Sequence, residues 1–186
     1  MRRLSATSAL VLAILAASAA AAAEWRLVPE SSRILFETRQ GAQRIEGGFA
    51  RWTASIRFDP RDLAGSTVEV EVELASVFTG DVNRDKQALS AEFFDVARWP
   101  RARYRTLAFR ARNDGVYEVE AELQMKGINR RLVHPARIEI EGERARAAGE
   151  VRLERRAFRF GEGPFDSDQV LAPEILVRFA IEAVRG

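Results

Sequence analysis

Cysteine is absent from this chain of 186 residues, and histidine occurs once. Without cysteine the chain has no disulfide, no thiolate metal site and no covalent haem attachment. The single histidine, His134, leaves no second imidazole for a zinc site. No Ser-His-Asp arrangement, phosphate-binding loop or pair of catalytic carboxylates stands out. The sequence therefore predicts no metal, no cofactor and no catalytic residue, and the protein is not expected to be an enzyme.

Long apolar runs are missing after the N-terminus. There, two arginines precede the short apolar stretch Ala9–Ala17, which is followed by small residues and then by an acidic one. This order is typical of a secretory signal peptide, and the apolar stretch is too short to span a bilayer. We predict that residues 1–23 are a cleaved signal peptide and that residues 24–186 form one domain.

The chain has little net charge of one sign. It contains 29 Lys and Arg against 27 Asp and Glu, and the two arginines of the predicted signal peptide account for the net charge of +2. The mature domain is therefore close to neutral, with arginine and glutamate interleaved along it. Nucleic-acid binding needs a one-sided basic surface, so we expect no nucleic-acid partner.

Alternation of apolar and charged residues at a period of two dominates the mature chain, as is typical of half-buried strands. Clear examples are residues 33–39, 52–59, 68–74 and 117–125. Turn residues separate such segments, most clearly Asn-Asp-Gly at 113–115. About eight strands joined mostly by short turns favour an all-β, antiparallel closed barrel or sandwich.

Two irregularities interrupt the alternation. The stretch Tyr104–Arg112 changes phase partway along, which a β-bulge would reconcile. The pair Gly47-Gly48 lies inside another strand pattern and predicts a second bend or bulge.

The alternation alone fits two kinds of barrel. A soluble barrel points its apolar face inward, whereas an outer-membrane barrel points it outward. Three Trp and two Tyr are few for two aromatic girdles, the chain does not end in an aromatic residue, and the polar faces carry dense Glu and Arg charge. We therefore favour the soluble form.

Residues 79–100 form a long segment that does not alternate. Thr79 or Asp81 can cap a short helix at its start. Phe93 and Phe94 follow; on an extended stretch they would point in opposite directions, one sealing the barrel and one packing under the helix. The segment therefore predicts a cap over one end of the barrel, with an apolar interior beneath it.

The same segment carries a specific motif. It reads TG-x₃-RD, then Leu89 and Ser90, then Phe-Phe-Asp and an aromatic-Pro pair. This resembles the signature of the YceI-like family of exported lipocalin-like barrels, with one extra residue before the leucine. Weaker matches in order, such as Trp25–Pro29, Phe-Asp-Pro at 58–60 and Gly127–Asn129, extend the resemblance over nearly the whole mature chain.

The resemblance implies an antiparallel barrel around a long apolar pocket. With the strand count, we predict an all-β, eight-stranded antiparallel lipocalin-like barrel with one short helix capping an end. The resemblance also implies periplasmic binding, sequestration or transport of a long-chain isoprenoid, quinone-like or fatty lipid. Two alternatives stay open: an enzyme acting on such a lipid, and a packed-core stress-response or interaction module. A quinone-using membrane protein is a candidate partner, and a homodimer a candidate assembly.

The predicted ligand-binding residues are inward apolar positions of the strands, the aromatic residues of the cap, and Arg84. An eight-stranded barrel is just wide enough to be filled by side chains or to hold one slender ligand, so a filled core is the alternative for each residue. The predicted residues are Phe36, Phe49, Trp52, Ile56, Phe58, Val70, Val72, Arg84, Phe93, Phe94, Leu123, Met125, Ile138, Ile140, Leu153, Phe158 and Phe179.

Arg84 has two interpretations. In the first, Arg84 and Asp85 tie the helix to the barrel end. In the second, Arg84 lies at the pocket mouth and binds a lipid headgroup, because arginine suits a bidentate contact with phosphate. The sequence favours the first and leaves the second open. The lone His134 is interpreted as structural or exposed.

Overall fold

The computed structural model describes residues 22–186, which form eleven β-strands and one α-helix. The strands are β1 (Glu24–Leu27), β2 (Arg33–Gln40), β3 (Gln43–Phe49), β4 (Trp52–Arg57), β5 (Thr67–Glu73), β6 (Val77–Phe78), β7 (Arg101–Ala111), β8 (Val116–Met125), β9 (Ile128–Glu141), β10 (Arg144–Glu154) and β11 (Glu174–Arg185). The helix α1 spans Val82–Ala88, and short 3₁₀-helices lie at Pro29–Ser31, Leu74–Ser76, Arg155–Phe158 and Gly163–Phe165. Except for Ala22 and Ala23, the predicted signal peptide lies outside the described residues.

The strands close into a barrel whose neighbouring strands are all antiparallel. The ring runs β1, β4, β5, β7, β8, β9, β10 and β11, and β11 closes on β1. The remaining strands lengthen three members of this ring, because β2 follows β1, β3 precedes β4 and β6 follows β5 with only a short interruption each time. The eight-stranded antiparallel barrel with one helix predicted from the sequence is therefore confirmed.

The β-bulge predicted in β7 is present. The pairing of β7 with β8 shifts register between Thr106 and Ala108, so Leu107 is left outside the ladder and is exposed. The shift returns Phe109 to the interior, where its ring lies 5.3 Å from that of Phe58. One extra residue in β7 thus explains the change of phase in the sequence.

Of the bend or bulge predicted at Gly47-Gly48, the bulge is not formed. Both glycines pair regularly with β2. A Cβ on Gly47 would lie 2.4 Å from the carbonyl oxygen of Phe78 and 2.5 Å from Cζ of Phe36. The glycine is required by this close approach of neighbouring elements, not by a bulge. The bend follows at Ala50, after β3 ends.

Charged side chains lie on the outer face of the barrel and apolar ones on the inner face. Ion pairs between neighbouring strands, such as Arg103–Glu71 at 2.8 Å and Arg178–Glu37 at 2.9 Å, lie on that outer face. Solvent-exposed pairs of this kind contribute little to stability, so the fold depends on the apolar interior. Among the described residues no helix combines the length and the apolar character needed to cross a bilayer.

Two apolar layers occupy the interior. The Phe94 layer lies on the α1 side and comprises Leu74, Val77, Phe94, Ala102, Met125, Val151, Leu153, Phe158, Phe160, Leu171 and Ile175. The Trp25 layer comprises Trp25, Phe58, Phe109, Val119, Ala121, Ala136 and Ala183. In the latter, the indole N–H of Trp25 donates to the carbonyl oxygen of Phe58 at 2.9 Å, which satisfies its one buried polar atom.

Candidate functional site

A cavity of about 320 Å³ extends along the barrel interior and touches both apolar layers. The barrel is therefore hollow rather than filled, and the volume falls in the range of ligand-binding cavities. Its wall consists mainly of Val, Ile, Leu, Phe and Ala side chains from the strands. Such a wall suits an apolar ligand, since burial of apolar surface needs no directional contact.

Most of the predicted ligand-binding residues line this cavity. They are Phe36, Phe49, Ile56, Phe58, Val70, Val72, Arg84, Phe93, Phe94, Leu123, Met125, Ile138, Leu153 and Phe179. Their role as ligand contacts stays a prediction.

Three predicted residues lie outside the cavity lining. Phe158 is buried within the Phe94 layer, and Ile140 packs against the Trp25 layer near the end of β9. Trp52 is the first residue of β4, where it pairs with Val72. Alternation identifies the inward face of a strand but does not show which inward residues border the cavity. The strand partners of Trp52 and Ile140, Val72 and Ala145, do line it, and Phe158 lies in a 3₁₀-helix rather than in a strand.

The helix α1 is fixed at one end of the cavity by short polar contacts. The Asp81 carboxylate accepts hydrogen bonds from the backbone N–H groups of Asn83 and Arg84, both at 2.9 Å. The bond from Arg84 is the main reason that the pKa of the Asp81 carboxyl lies below its usual value. Asp81 is therefore the helix cap, while Thr79 donates its hydroxyl to Asp85 at 2.6 Å.

The two phenylalanines after the helix both face the cavity. They lie in consecutive turns, so the extended conformation expected for them is wrong. The ring of Phe94 lies 5.8 Å from that of Phe49, and the ring of Phe93 lies 4.9 Å from that of Phe165. Both also contact Phe160, at 4.9 and 5.1 Å. The resulting aromatic cluster joins α1 to the loop between β10 and β11 and covers the cavity.

Arg84 lines the cavity beside α1 and is half-buried. Its backbone N–H contacts Asp81, but its guanidinium forms no ion pair within residues 22–186. Asp85 instead links the helix to Thr79, the residue that follows β6. Gln87 is exposed and also lines the cavity, so the cavity reaches solvent here. We call this end, defined by Thr79, Arg84 and Gln87, the mouth.

Tyr104 and His134 form a polar pair on the cavity wall that the sequence interpretation missed. Tyr104 Oη lies 2.8 Å from His134 Nε2, and His134 Nδ1 lies 3.1 Å from the carbonyl oxygen of Pro135. His134 is buried, not exposed. The signal was present, because the period-two pattern of Ile138 continues backward through Ala136 to His134.

Comparison with known proteins identifies the barrel. The model of the YceI-like domain matches residues 25–183. This chain belongs to the YceI-like family. A UPF0312 protein of Pseudomonas savastanoi pv. phaseolicola is 29% identical over 146 residues, which cover 77% of this chain and 76% of the relative.

Solved structures share the fold of this YceI-like protein. The crystal structure of BcnA from Burkholderia cenocepacia matches with a TM-score of 0.82 and 23% identity, covering 85% of this chain and 99% of BcnA. A polyisoprenoid binding domain from Saccharophagus degradans, implicated in plant cell wall breakdown, matches with a TM-score of 0.73 and 14% identity, covering 89% of this chain and 99% of that domain. At these identities the similarity shows the fold alone.

The residues that resemble the YceI-like signature mainly brace the cap of this YceI-like barrel. Asp85 accepts from Thr79, and the backbone N–H of Trp99 donates to the carbonyl oxygen of Asp95 at 2.8 Å. The Trp99 ring packs so closely over Gly127 that a Cβ there would lie 2.6 Å from Cη2 of the indole. The signature and the weaker match at Gly127–Asn129 therefore meet in space.

The buried His134 of this YceI-like barrel makes its stability depend on pH. Burial lowers the pKa of His134 below its ordinary value of 6.5, so the unfolded chain binds the proton more readily. The contribution of neutral His134 to stability is therefore complete above about pH 6.5. It declines as the pH drops toward the lower pKa of His134 in the folded state. We expect urea unfolding to show this decline from pH 7 to pH 5 in the wild type and a weaker one in His134→Gln.

Carboxylates make stability depend on pH in a more acidic range, and this dependence serves as the internal comparison for that of His134. Hydrogen bonds from arginine hold the pKa values of Glu37 and Asp59 below their usual range, so their contribution is lost below about pH 4. The wild type and His134→Gln should therefore lose stability in parallel below about pH 4. If the free energy of unfolding declined equally in both proteins from pH 7 to pH 5, the decline could not be assigned to His134.

Proposed function

We propose that this protein binds one slender apolar lipid, of the polyisoprenoid, quinone-like or fatty class, inside its barrel and sequesters or transports it. The observation that carries the proposal is the apolar cavity of about 320 Å³, which touches both interior layers and opens beside α1. Membership of the YceI-like family and the fold shared with a polyisoprenoid binding domain support the isoprenoid class.

Burial of the lipid chain supplies the affinity. Each CH₂ group moved from water into the cavity contributes about 0.8 kcal/mol, so roughly ten buried carbons contribute about 8 kcal/mol. That corresponds to a micromolar dissociation constant before the cost of ordering the chain is subtracted. A longer isoprenoid binds more tightly for as long as the cavity accommodates it, with no hydrogen bond required.

The proposed setting is the periplasm, following export by the predicted signal peptide at residues 1–23. A lipid of this class is nearly insoluble in water, so movement between membranes requires a carrier that shields it. A quinone-using membrane protein as partner and a homodimer as assembly stay predictions.

Extraction of the purified protein with organic solvent, followed by mass spectrometry, tests the function. A stoichiometric prenyl, quinone-like or fatty lipid in the extract supports a carrier. A barrel that yields no lipid and takes up none on titration with polyprenol contradicts it and favours the packed-core interaction module. Chemical conversion of an added lipid favours the enzyme acting on such a lipid instead.

Arg84 provides a prediction for headgroup recognition at the mouth. Its guanidinium has no carboxylate partner among the described residues, so it is available for a bidentate contact with phosphate. A hydrogen bond to a charged group contributes about 1.5–3 kcal/mol. We therefore expect Arg84→Ala to weaken binding of a polyprenyl phosphate by at least about tenfold and to leave the matching polyprenol nearly unaffected, as measured by calorimetric titration.

Lys86 supplies the matched control. It lies on the same helix and is exposed, but it does not line the cavity. Lys86→Ala should therefore change neither affinity. If Arg84→Ala weakened binding of the phosphate and of the alcohol equally and lowered the melting temperature, Arg84 would brace the cap rather than bind a headgroup.

A further inference from the structure

A polar pair interrupts the apolar wall at a depth different from the mouth. Tyr104 packs against the Trp25 layer, whereas Ala88 of α1 packs against the Phe94 layer. His134 lies directly opposite Val119, a residue of the Trp25 layer. Both members of the pair line the cavity. Their contacts lie inside the barrel, where a ligand chain would pass.

The contacts of the imidazole fix which atoms donate. The carbonyl oxygen of Pro135 can only accept, so His134 Nδ1, at 3.1 Å, carries the ring proton. In the neutral ring Nε2 is then an acceptor, and Tyr104 must donate its hydroxyl hydrogen to it across 2.8 Å. Burial lowers the pKa of His134, which keeps the ring in this neutral form near pH 7.

The phenolic oxygen of Tyr104 therefore offers lone pairs but no proton. Within residues 22–186 its only hydrogen bond is the one to His134. The neighbouring hydroxyl on the wall, that of Thr106, is already engaged, because it accepts from the backbone N–H of Val68 at 2.8 Å and donates to the carbonyl oxygen of Val68 at 3.4 Å. The wall thus presents an acceptor at the position of Tyr104 Oη.

We propose that Tyr104, oriented by His134, is a specificity-determining residue that selects apolar ligands carrying a hydroxyl group on their buried part. A ligand hydroxyl can donate to Tyr104 Oη, whereas a carbonyl or ether oxygen at the same place would face lone pairs and stay unpaired. Burying such an unpaired polar atom is unfavourable. The proposal rests on the proposed lipid binding and assigns to the inner wall a selectivity separate from that of Arg84.

Three probes of equal chain length separate these effects: farnesol, an alcohol; farnesal, the matching aldehyde; and farnesene, the hydrocarbon. Binding to the whole purified protein is measured after delipidation. A net neutral hydrogen bond contributes about 1 kcal/mol, so the wild type should prefer farnesol to farnesal by about fivefold or more. Tyr104→Phe should lose this preference while keeping its affinity for farnesene.

A second variant tests whether Tyr104 accepts a hydrogen bond from the ligand or whether the Tyr104–His134 pair only supports packing. His134→Leu removes the atom to which Tyr104 donates, and so frees the hydroxyl hydrogen for a ligand carbonyl. The preference should then shift toward farnesal, a change that loss of packing alone would not produce. An unchanged farnesol-to-farnesal ratio in Tyr104→Phe overturns the inference while lipid binding stands. Failure of the wild type to bind any of the three probes overturns the proposed function and this inference with it.

Discussion

Replacing Ala147 with tryptophan is expected to abolish lipid binding while the barrel still folds. Ala147 lies on β10 between Ile138 and Ile181, and all three line the cavity. An indole there occupies space that the ligand chain needs. Displacing about five chain carbons removes roughly 4 kcal/mol of binding free energy, which is about a thousandfold in affinity. Titration with a polyprenol, monitored by calorimetry, measures the loss.

The adjacent residue provides the matched control. Ala148 is exposed on the outer face of the same strand, so Ala148→Trp adds the same side chain outside the barrel. It should bind the lipid like the wild type. Thermal melts check the fold of both variants, and Ala147→Leu gives a smaller, graded loss if the tryptophan destabilises the barrel. Wild-type affinity in a folded Ala147→Trp protein would place the ligand elsewhere.

The faces of the strands could be predicted from the sequence because the side-chain period of a strand is two. Alternation along residues 117–125 assigned Leu123 and Met125 to the interior, and both line the cavity. The change of phase after Tyr104 predicted the bulge at Leu107 for the same reason. These features depend on neighbours in the chain, so a local pattern contains them.

Contact with the cavity and pairing across strands could not be predicted in this way. Ile140 and Leu123 both face inward, but only Leu123 reaches the cavity. The contact between Tyr104 and His134 joins β7 to β9 across β8, so it depends on two strand registers at once. Alternation does not specify register, since a shift by two residues keeps every face unchanged.

The family motif and the cavity wall have different roles. The motif predicted the family because its residues are unusual in type and spacing, and in the structure Asp85 and Trp99 brace the cap. The wall is built from common apolar residues, which many barrels share. The motif therefore identifies the barrel, whereas the ligand preference depends on the wall and on the few polar atoms in it.

Loss of the buried Arg155 is expected to destabilise the protein strongly, whereas loss of its exposed neighbour Arg156 is not. Arg155 is 1% exposed and donates to the carbonyl oxygens of Phe160 and Gly161, both at 3.1 Å, and of Asp166 at 2.6 Å. It thereby holds the loop that presses Phe160 against the aromatic cluster. Arg155→Met keeps the apolar bulk but leaves the buried carbonyls of Phe160 and Gly161 unpaired, whereas the carbonyl of Asp166 still accepts from Arg156. Since hydrogen bonds to charged groups contribute about 1.5–3 kcal/mol each, we expect a loss of about 4 kcal/mol in the free energy of unfolding.

Arg156 shows why burial, rather than charge, decides this result. It contacts Asp166 at 3.1 Å and Asp168 at 2.6 Å, but its side chain is 42% exposed. An exposed ion pair contributes about 1 kcal/mol or less, so Arg156→Met should be nearly neutral. Urea unfolding measures both variants, and hydrogen exchange should show faster opening of residues 159–171 in Arg155→Met alone. Similar small losses in the two variants would mean that the loop is held by its aromatic contacts, with Arg155 contributing little.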